Sequence, residues 1–93
     1  MDIDRFQNLI EEIYCERDSR RGLEGTFMWF AEEVGELSAA LRSRREADIR
    51  EEFADVLAWL CTLASLAGVR MNDVVGKYLS GCPACGHTPC ACP

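Results

Sequence analysis

The chain has 93 residues, enough for one small domain, and 48% of them are hydrophobic, which argues against disorder. Its formal charge of −6, from 16 acidic and 10 basic side chains, does not favour general binding to a nucleic acid polymer or to an anionic membrane, and we expect neither as a partner. No stretch approaches the ~20 apolar residues that span a bilayer, and the acidic start is unlike a signal peptide. We therefore expect a cytoplasmic protein, whose cysteines stay reduced.

Helical periodicity predicts four helices within the first 79 residues, which contain no proline. The predicted bounds are about 4–20, 26–43, 48–67 and 72–79. Thr26, Asp48 and Asn72 are the candidate N-caps, while Gly22 and Gly68 follow the ends of the first and third helices. No segment alternates with period two. The predicted fold is therefore all-α, an antiparallel helical bundle of about four helices with short links.

The second and third helices each have an apolar stripe that is predicted to form the core. These stripes consist of Phe30, Val34, Leu37 and Leu41 in the second helix, and Ile49, Phe53, Val56, Leu60, Leu63 and Ala67 in the third.

Each stripe is flanked by two carboxylates spaced three residues apart. Glu33 and Glu36 lie on one shoulder of the second helix, and Glu52 and Asp55 lie on the shoulder of the third. The two carboxylates of each pair repel each other, and packing the two pairs across a helix interface adds to the repulsion. A divalent cation resolves this conflict, and Mg²⁺ prefers such oxygen ligands. The alternative is that these are ordinary solvated glutamates and aspartates in a chain with 28% charged residues.

These acids belong to a spaced motif. The segment EEVGEL at 32–37 is followed by EFADVL at 52–57, which gives the pattern EExxE, a spacer and ExxD. This pattern resembles the all-α nucleotide pyrophosphohydrolases of the MazG type. The resemblance covers roughly residues 3–80 and is strongest at 27–60, whereas the cysteine-rich tail lies outside it.

The resemblance implies hydrolysis of a nucleoside triphosphate to a monophosphate and pyrophosphate, a reaction that clears surplus or non-standard nucleotides. Carried over by motif position, Glu33, Glu36, Glu52 and Asp55 are the ligands of Mg²⁺, for which Mn²⁺ could substitute. Catalysis is assigned to Glu33 and to Glu32, the extra acid of EExxE, which would help to orient the attacking water. Such chemistry needs charge neutralisation and positioning more than a covalent intermediate.

Four further residues are candidate substrate ligands. Trp59 and Trp29 lie beside the acids and could stack on the base, although either could instead fill the core. Lys77 could neutralise phosphates, because the resemblance places a basic residue in the final helix, and Arg70 is a second candidate. For both cations a solvated surface position is the alternative. Cys15 and Cys61 are interpreted as ordinary helix residues.

The resemblance also implies a homodimer or homotetramer with helices packed across subunits. The third helix supports this expectation, because Leu57, Trp59 and Leu66 lie away from its central stripe and add apolar surface that implies a partner. We therefore expect oligomerisation to complete the bundle.

The last fourteen residues, 80–93, form a separate cysteine-rich tail after a helical catalytic domain at 1–79. Its four cysteines are Cys82, Cys85, Cys90 and Cys92, and the CPxCG segment resembles a zinc knuckle. Four thiolates can close one tetrahedral Zn²⁺ site, in which His87 could replace one of them. Disulfides, another metal cluster or a disordered reduced tail are the alternatives. Zinc bound to four thiolates would be structural, because no ligand position stays open.

An enzyme is the leading hypothesis for function. The alternative is a non-catalytic helical oligomer that binds other proteins through its zinc-binding tail. A third hypothesis is an acidic helical protein that binds cations without turnover.

Overall fold

The structure, a computed structural model, describes all 93 residues and contains helices but no strand. In chain order these are α1 (Ile3–Ser43), α2 (Glu46–Leu66), α3 (Met71–Val74) and a 3₁₀ helix (Val75–Tyr78). The predicted all-α class is confirmed.

A break at Gly22 divides α1 into a first limb, residues 3–21, and a second limb, residues 23–43. Gly22 has φ 80° and ψ 174°, a backbone conformation that favours glycine. The predicted boundary at Gly22 is thus confirmed, but the second limb resumes directly after it and Thr26 is not its cap. The Thr26 side chain is instead fully buried and accepts a hydrogen bond from Arg21 (3.1 Å).

The end of α2 also follows the sequence prediction. Gly68 has φ 76°, and its N–H donates to the carbonyl of Ser65 (3.1 Å). The N–H of Val69 donates to the carbonyl of Ala64 (2.8 Å). Together these bonds form a Schellman motif, which satisfies carbonyls that the helix leaves free.

The other two predicted caps were wrong. The helix α2 begins at Glu46 with Arg45 in the N-cap position, and Asp48 lies inside it, paired with Arg45 (2.9 Å). Arg70 rather than Asn72 precedes α3. Neither N-cap makes a side-chain capping bond, so other contacts fix where these helices begin.

Gln7 joins the first limb to the C-terminal end of α2 through hydrogen bonds. This fully buried amide donates to Ser65 Oγ (3.0 Å) and to the carbonyl of Val69 (2.9 Å), and it accepts from the N–H of Met71 (2.8 Å). Both N–H groups of the amide are therefore used and its oxygen accepts one hydrogen bond, which makes the junction specific.

Arg70 reinforces the same junction. Its guanidinium donates to Asp4 Oδ1 (2.9 Å), Asn8 Oδ1 (2.7 Å) and both carboxylate oxygens of Glu11 (3.0 and 3.1 Å). These contacts hold the first limb against the end of α2, so Arg70 is an internal ion-pair partner rather than a free phosphate ligand.

The core within one chain is small. Only 7 of the 93 residues are buried, and the hydrophobic ones among them are Ile10, Ala40 and Cys61. The radius of gyration is 15.6 Å, whereas a compact chain of this length has about 12 Å. The prediction that the apolar stripes form the core was wrong for the single chain, because none of their residues is buried. The buried faces carry smaller or polar side chains, and no further long helix covers the stripes.

No single helix combines the length and apolar character needed to cross a membrane. The helix α2 and the adjoining Met71–Tyr78 segment meet that test only together, bent by 96°, on length and composition alone.

Candidate functional site

Three of the predicted acids meet where the second limb packs against α2. Carboxylate oxygens of Glu33, Glu52 and Asp55 all lie within 4.8 Å of one another. We call this group the acid triad. The two helices run antiparallel here, so the motif halves at 32–37 and 52–57 come together although they are far apart in sequence.

One carboxylate oxygen of the triad has no polar partner. Glu52 Oε2 is inaccessible to solvent and has no hydrogen-bond partner, a costly state for a carboxylate oxygen. Burial and the negative charges of Asp55 and Glu52 raise the pKa of Glu33 above its ordinary value of 4.5. Burial and the charge of Asp55 raise the pKa of Glu52 in the same direction. Converging oxygens with an unsatisfied buried member fit a hard divalent cation.

The triad predicts a pH-dependent effect of Mg²⁺ on folding, which should be larger at about pH 7.5 than at about pH 5. Because the folded chain raises the pKa of Glu33 and Glu52, the metal-free fold gains stability from their protons below pH 4.5. It loses that contribution as the pH rises through the raised pKa values. A cation competes with these protons, so its effect grows over the same range. Thermal unfolding with and without Mg²⁺ across this pH range measures it.

The control for this experiment is the double variant Glu52→Gln Asp55→Asn. We expect its response to Mg²⁺ to be small and nearly flat with pH, because two of the three carboxylates of the triad are gone. A Mg²⁺ effect in the wild type that does not change with pH would contradict the prediction.

A cavity of about 800 Å³ opens beside the triad, within the size range of small-molecule sites. Glu33 and Asp55 line one wall, and both limbs of α1 together with α2 contribute to it. Its remaining lining residues are Ile10, Tyr14, Arg17, Asp18, Arg20, Arg21, Trp29, Ala58, Trp59 and Thr62.

Both tryptophans, which the sequence places beside the acids, line this cavity. The rings of Trp29 and Trp59 stack on each other, with centroids 6.3 Å apart and planes inclined by 14°. Trp29 remains 49% exposed, so the pair presents aromatic surface to the cavity. Such a surface is suited to stacking with a planar base.

Arg21 links the break in α1 to the aromatic pair. Its guanidinium lies 4.8 Å from the centroid of the Trp59 ring, a cation–π arrangement. It also donates to Asp18 Oδ1 (3.0 Å) and Thr26 Oγ1 (3.1 Å), both on side chains that are almost completely buried. Arg21 is therefore held in place on the cavity wall.

Sequence reasoning missed the arginines of the first limb. Arg17 and Arg20 line the cavity without any ion-pair partner. Their only signal in the sequence is a three- and four-residue spacing, 17, 20 and 21, which puts three like charges on one helix face just before Gly22. Two arginine side chains without an ion-pair partner therefore line the same cavity as Glu33 and Asp55 of the acid triad.

The other predicted site residues do not join this cavity in the single chain. Glu36 is exposed and lies outside the triad, although its charge contributes to the raised pKa of Glu33 and Glu52. Glu32 is exposed and does not line the cavity. Lys77 is exposed on the 3₁₀ helix, with Nζ 5.8 Å from the centroid of the Tyr78 ring. Their functional roles stay predictions.

The four cysteines of the tail form a second cluster. Their Sγ atoms all lie within 4.8 Å of one another, and this group could hold a metal ion. Backbone N–H groups of Ala91 and His87 lower the pKa of the Cys85 thiol to about 6, and those of Cys85 and Ala84 lower the pKa of Cys82. The neighbouring sulfurs of Cys90 and Cys82 raise the pKa of Cys92 to about 11. The two cysteines outside the tail are isolated: Cys15 is exposed and Cys61 is buried.

Comparison with protein families agrees with the geometry of the acid triad. Residues 21–82, two thirds of the chain, match the MazG nucleotide pyrophosphohydrolase domain. The chain belongs to this family. Among curated proteins, no match to it was found.

The MazG match contains the whole acid triad and both tryptophans, but it begins at Arg21 and ends at Cys82. Arg17 and Arg20 lie before the matched region. Most of the cysteine cluster lies after it. Membership of the MazG family therefore accounts for the acids and leaves the arginines and the tail to be explained from this chain.

Proposed function

We propose that the protein hydrolyses nucleoside triphosphates to nucleoside monophosphates and pyrophosphate in a Mg²⁺-dependent reaction that clears surplus or non-standard nucleotides. The observation that carries the proposal is the unpartnered, buried Oε2 of Glu52 within the acid triad, beside a cavity with two free arginines and a tryptophan pair. These features are the three that a nucleotide needs: a place for a cation, for phosphates and for a base.

The acid triad would hold Mg²⁺, with Mn²⁺ as a possible substitute, and Glu36 as the fourth ligand predicted from the motif. The bound cation would neutralise charge on the phosphates and activate water for attack. Carboxylate oxygens suit such hard ions better than Zn²⁺, which prefers sulfur and nitrogen. None of the four tail cysteines lines the cavity, so zinc would have no part in this reaction.

Glu33 is the proposed proton acceptor. It lines the cavity and belongs to the triad, so its carboxylate lies where it could accept a proton from a water beside the cation. Glu32 is adjacent in sequence but exposed, so we assign it a role in orienting Glu33 or the water from outside the cavity.

Arg17 and Arg20 are proposed to bind the phosphates farthest from the acid triad. A triphosphate bound to one cation still carries negative charge, and both side chains are free of carboxylate partners. They line the cavity on the first limb, whereas Glu33 and Asp55 lie on the second limb and α2. A nucleotide between them would be contacted from both sides.

A second copy of the chain would complete the enzyme as a homodimer or homotetramer. The apolar stripes of the second limb and α2 are left open, and among them Phe53 is 54% exposed, Leu41 48% and Val34 43%. Contiguous apolar surface on this scale marks an interaction site. A self-association along these stripes would bury apolar side chains that a single chain leaves exposed.

Release of pyrophosphate from a panel of ribo- and deoxyribonucleoside triphosphates, with and without Mg²⁺, tests the proposal. We expect Mg²⁺-dependent turnover with one pyrophosphate released per monophosphate. Release of inorganic phosphate instead would contradict cleavage between the α- and β-phosphates. Absence of turnover across the panel, with Mg²⁺ still bound, would favour a cation-binding protein without catalysis.

The double variant Arg17→Gln Arg20→Gln should raise KM for the triphosphate by at least roughly 10- to 100-fold, since a single hydrogen bond to a charged group contributes about 1.5–3 kcal/mol and the double variant loses at least one. We expect kcat to change less, because neither residue is next to the acid triad. Steady-state kinetics on the best nucleotide of the panel measures both constants. Arg5→Gln is the matched control, because Arg5 is exposed and outside the cavity. Equal KM values in all three proteins would remove these arginines from the site.

A further inference from the structure

The four sulfurs of the tail lie within 4.8 Å of one another, and two of their separations match those of a metal tetrahedron. Cys82 Sγ lies 3.8 Å from Cys92 Sγ and 3.6 Å from Cys90 Sγ, and none of the cysteines is bonded to another. In a tetrahedral zinc site with Zn–S bonds of about 2.3 Å, neighbouring sulfurs are separated by about 3.8 Å. The sulfurs thus lie where ligands of one ion would place them.

Backbone turns aim these sulfurs at a common centre. The N–H of Gly86 donates to the carbonyl of Cys82 (2.6 Å), and Gly86 has φ 77°, which lets the chain reverse after Cys85. The N–H of Ala91 donates to Cys85 Sγ (3.3 Å), and that of Cys92 donates to Cys90 Sγ (3.4 Å). Such bonds stabilise thiolates and orient them as ligands.

The two halves of the tail also approach closely at Gly81. A β-carbon at this position would lie 2.8 Å from Thr88 Oγ1 and 3.1 Å from backbone atoms of His87, and Gly81 has φ 103°. The N–H of Cys82 donates to the carbonyl of His87 (3.0 Å) at the same place. The tail is therefore a closed loop with a defined path.

No apolar core holds this loop together. Within residues 80–93 only Gly81, Cys82 and Cys85 are even partly buried, and the segment contains no helix or strand. A loop of this length loses conformational entropy when it orders, and burial of small side chains does not offset that cost. Bringing four sulfurs within 4.8 Å of one another requires a shared partner.

We propose that Cys82, Cys85, Cys90 and Cys92 bind one Zn²⁺ ion in a closed tetrahedral site that folds the tail. Zinc with four thiolates has no open coordination position, so the site is structural. His87 is not a ligand, because the four cysteines complete the set and His87 is not among the converging groups. The matched family domain ends at Cys82, which makes this centre an addition to the MazG domain.

Metal content and a cobalt spectrum test this proposal on the full chain. Protein purified under reducing conditions and dialysed against Zn²⁺ should contain one tightly held zinc per chain by elemental analysis. Co²⁺ added to the metal-free protein should give the intense visible bands of a tetrahedral tetrathiolate site, and Zn²⁺ should bleach them. Less than half an equivalent of zinc, a weak octahedral cobalt spectrum, or iron with sulfide in place of zinc would each overturn it.

Two variants identify the ligands. Cys82→Ser Cys92→Ser should lose zinc and the tetrathiolate cobalt spectrum, whereas Cys15→Ser, which changes an exposed cysteine on the first limb, should retain both. Helix content by circular dichroism should match in all three proteins, because the tail packs outside α1 and α2. Zinc retained by the double variant would overturn the assignment. Neither measurement depends on nucleotide hydrolysis, so this proposal stands or falls separately from the proposed function.

Discussion

Glu52→Gln is expected to lower kcat/KM for pyrophosphate release by at least about 100-fold, because groups that merely support a metal ligand already cost roughly 10- to 100-fold when removed. The change keeps the size of the side chain and removes its charge. Since Glu52 repels Glu33 and Asp55 and has a buried oxygen without a partner, the metal-free variant should be at least as stable at neutral pH as the wild type. Mg²⁺ should no longer raise its unfolding temperature.

Glu51→Gln is the control, since it is the same substitution at an exposed position one residue earlier on α2. Its activity and its response to Mg²⁺ should be close to those of the wild type. Glu36→Gln in the same series decides whether this exposed residue is a ligand. If Glu36 completes the metal site, Glu36→Gln should lower kcat/KM nearly as much as Asp55→Asn does. Full activity in Glu52→Gln would remove the acid triad from the mechanism.

Glycine determines two of the helix ends that the sequence predicted correctly, while the third, at Ser43, is followed by Arg44 in the left-handed conformation (φ 60°). Gly22 and Gly68 both adopt positive φ, a local property of the residue that needs no knowledge of tertiary contacts. The cap at Asn72 failed because long-range contacts set the start of α3, whereas Asp48 lies inside α2 and pairs with the preceding Arg45 instead of capping. Arg70, bound to Asp4, Asn8 and Glu11, fixes the beginning of α3 from the other end of the chain.

The apolar stripes were recognised correctly as helix faces but misplaced as the core. Periodicity identifies which residues share a face, and it carries no information on what covers that face. In the single chain the second limb and α2 meet at the acid triad and the tryptophan pair, while Phe53 and Leu41 stay exposed. An oligomer, which the sequence led us to expect, would reconcile the pattern with burial.

Sequence spacing also predicted one part of the candidate site and missed another. Glu33, Glu52 and Asp55 converge because each motif half lies on one helix turn and the two helices pack antiparallel, so spacing was sufficient to find them. Arg17 and Arg20 come to the cavity only through the change of direction at Gly22. Their position depends on an angle between limbs that sequence spacing does not encode.

Trp59→Ala should raise KM for the nucleotide by roughly 5- to 150-fold, because stacking of a base on an aromatic side chain contributes about 1–3 kcal/mol. Trp59 contacts Trp29 on one side and Arg21 on the other, so its removal also loosens the wall of the cavity. Trp59→Phe keeps an aromatic ring and should lose less. Met28→Ala, which removes an exposed apolar side chain outside the cavity, is the control and should leave KM unchanged.

Fluorescence separates stacking from a general loss of structure in these variants. The chain contains only two tryptophans, so Trp29→Phe leaves Trp59 as the single indole reporter. If the base stacks on Trp59, a nucleotide should quench this emission with a midpoint that follows KM, and a nucleoside monophosphate should quench it at higher concentration. Unchanged emission at saturating nucleotide, together with a wild-type KM in Trp59→Ala, would mean that the tryptophan pair serves packing alone and that the base lies elsewhere in the cavity.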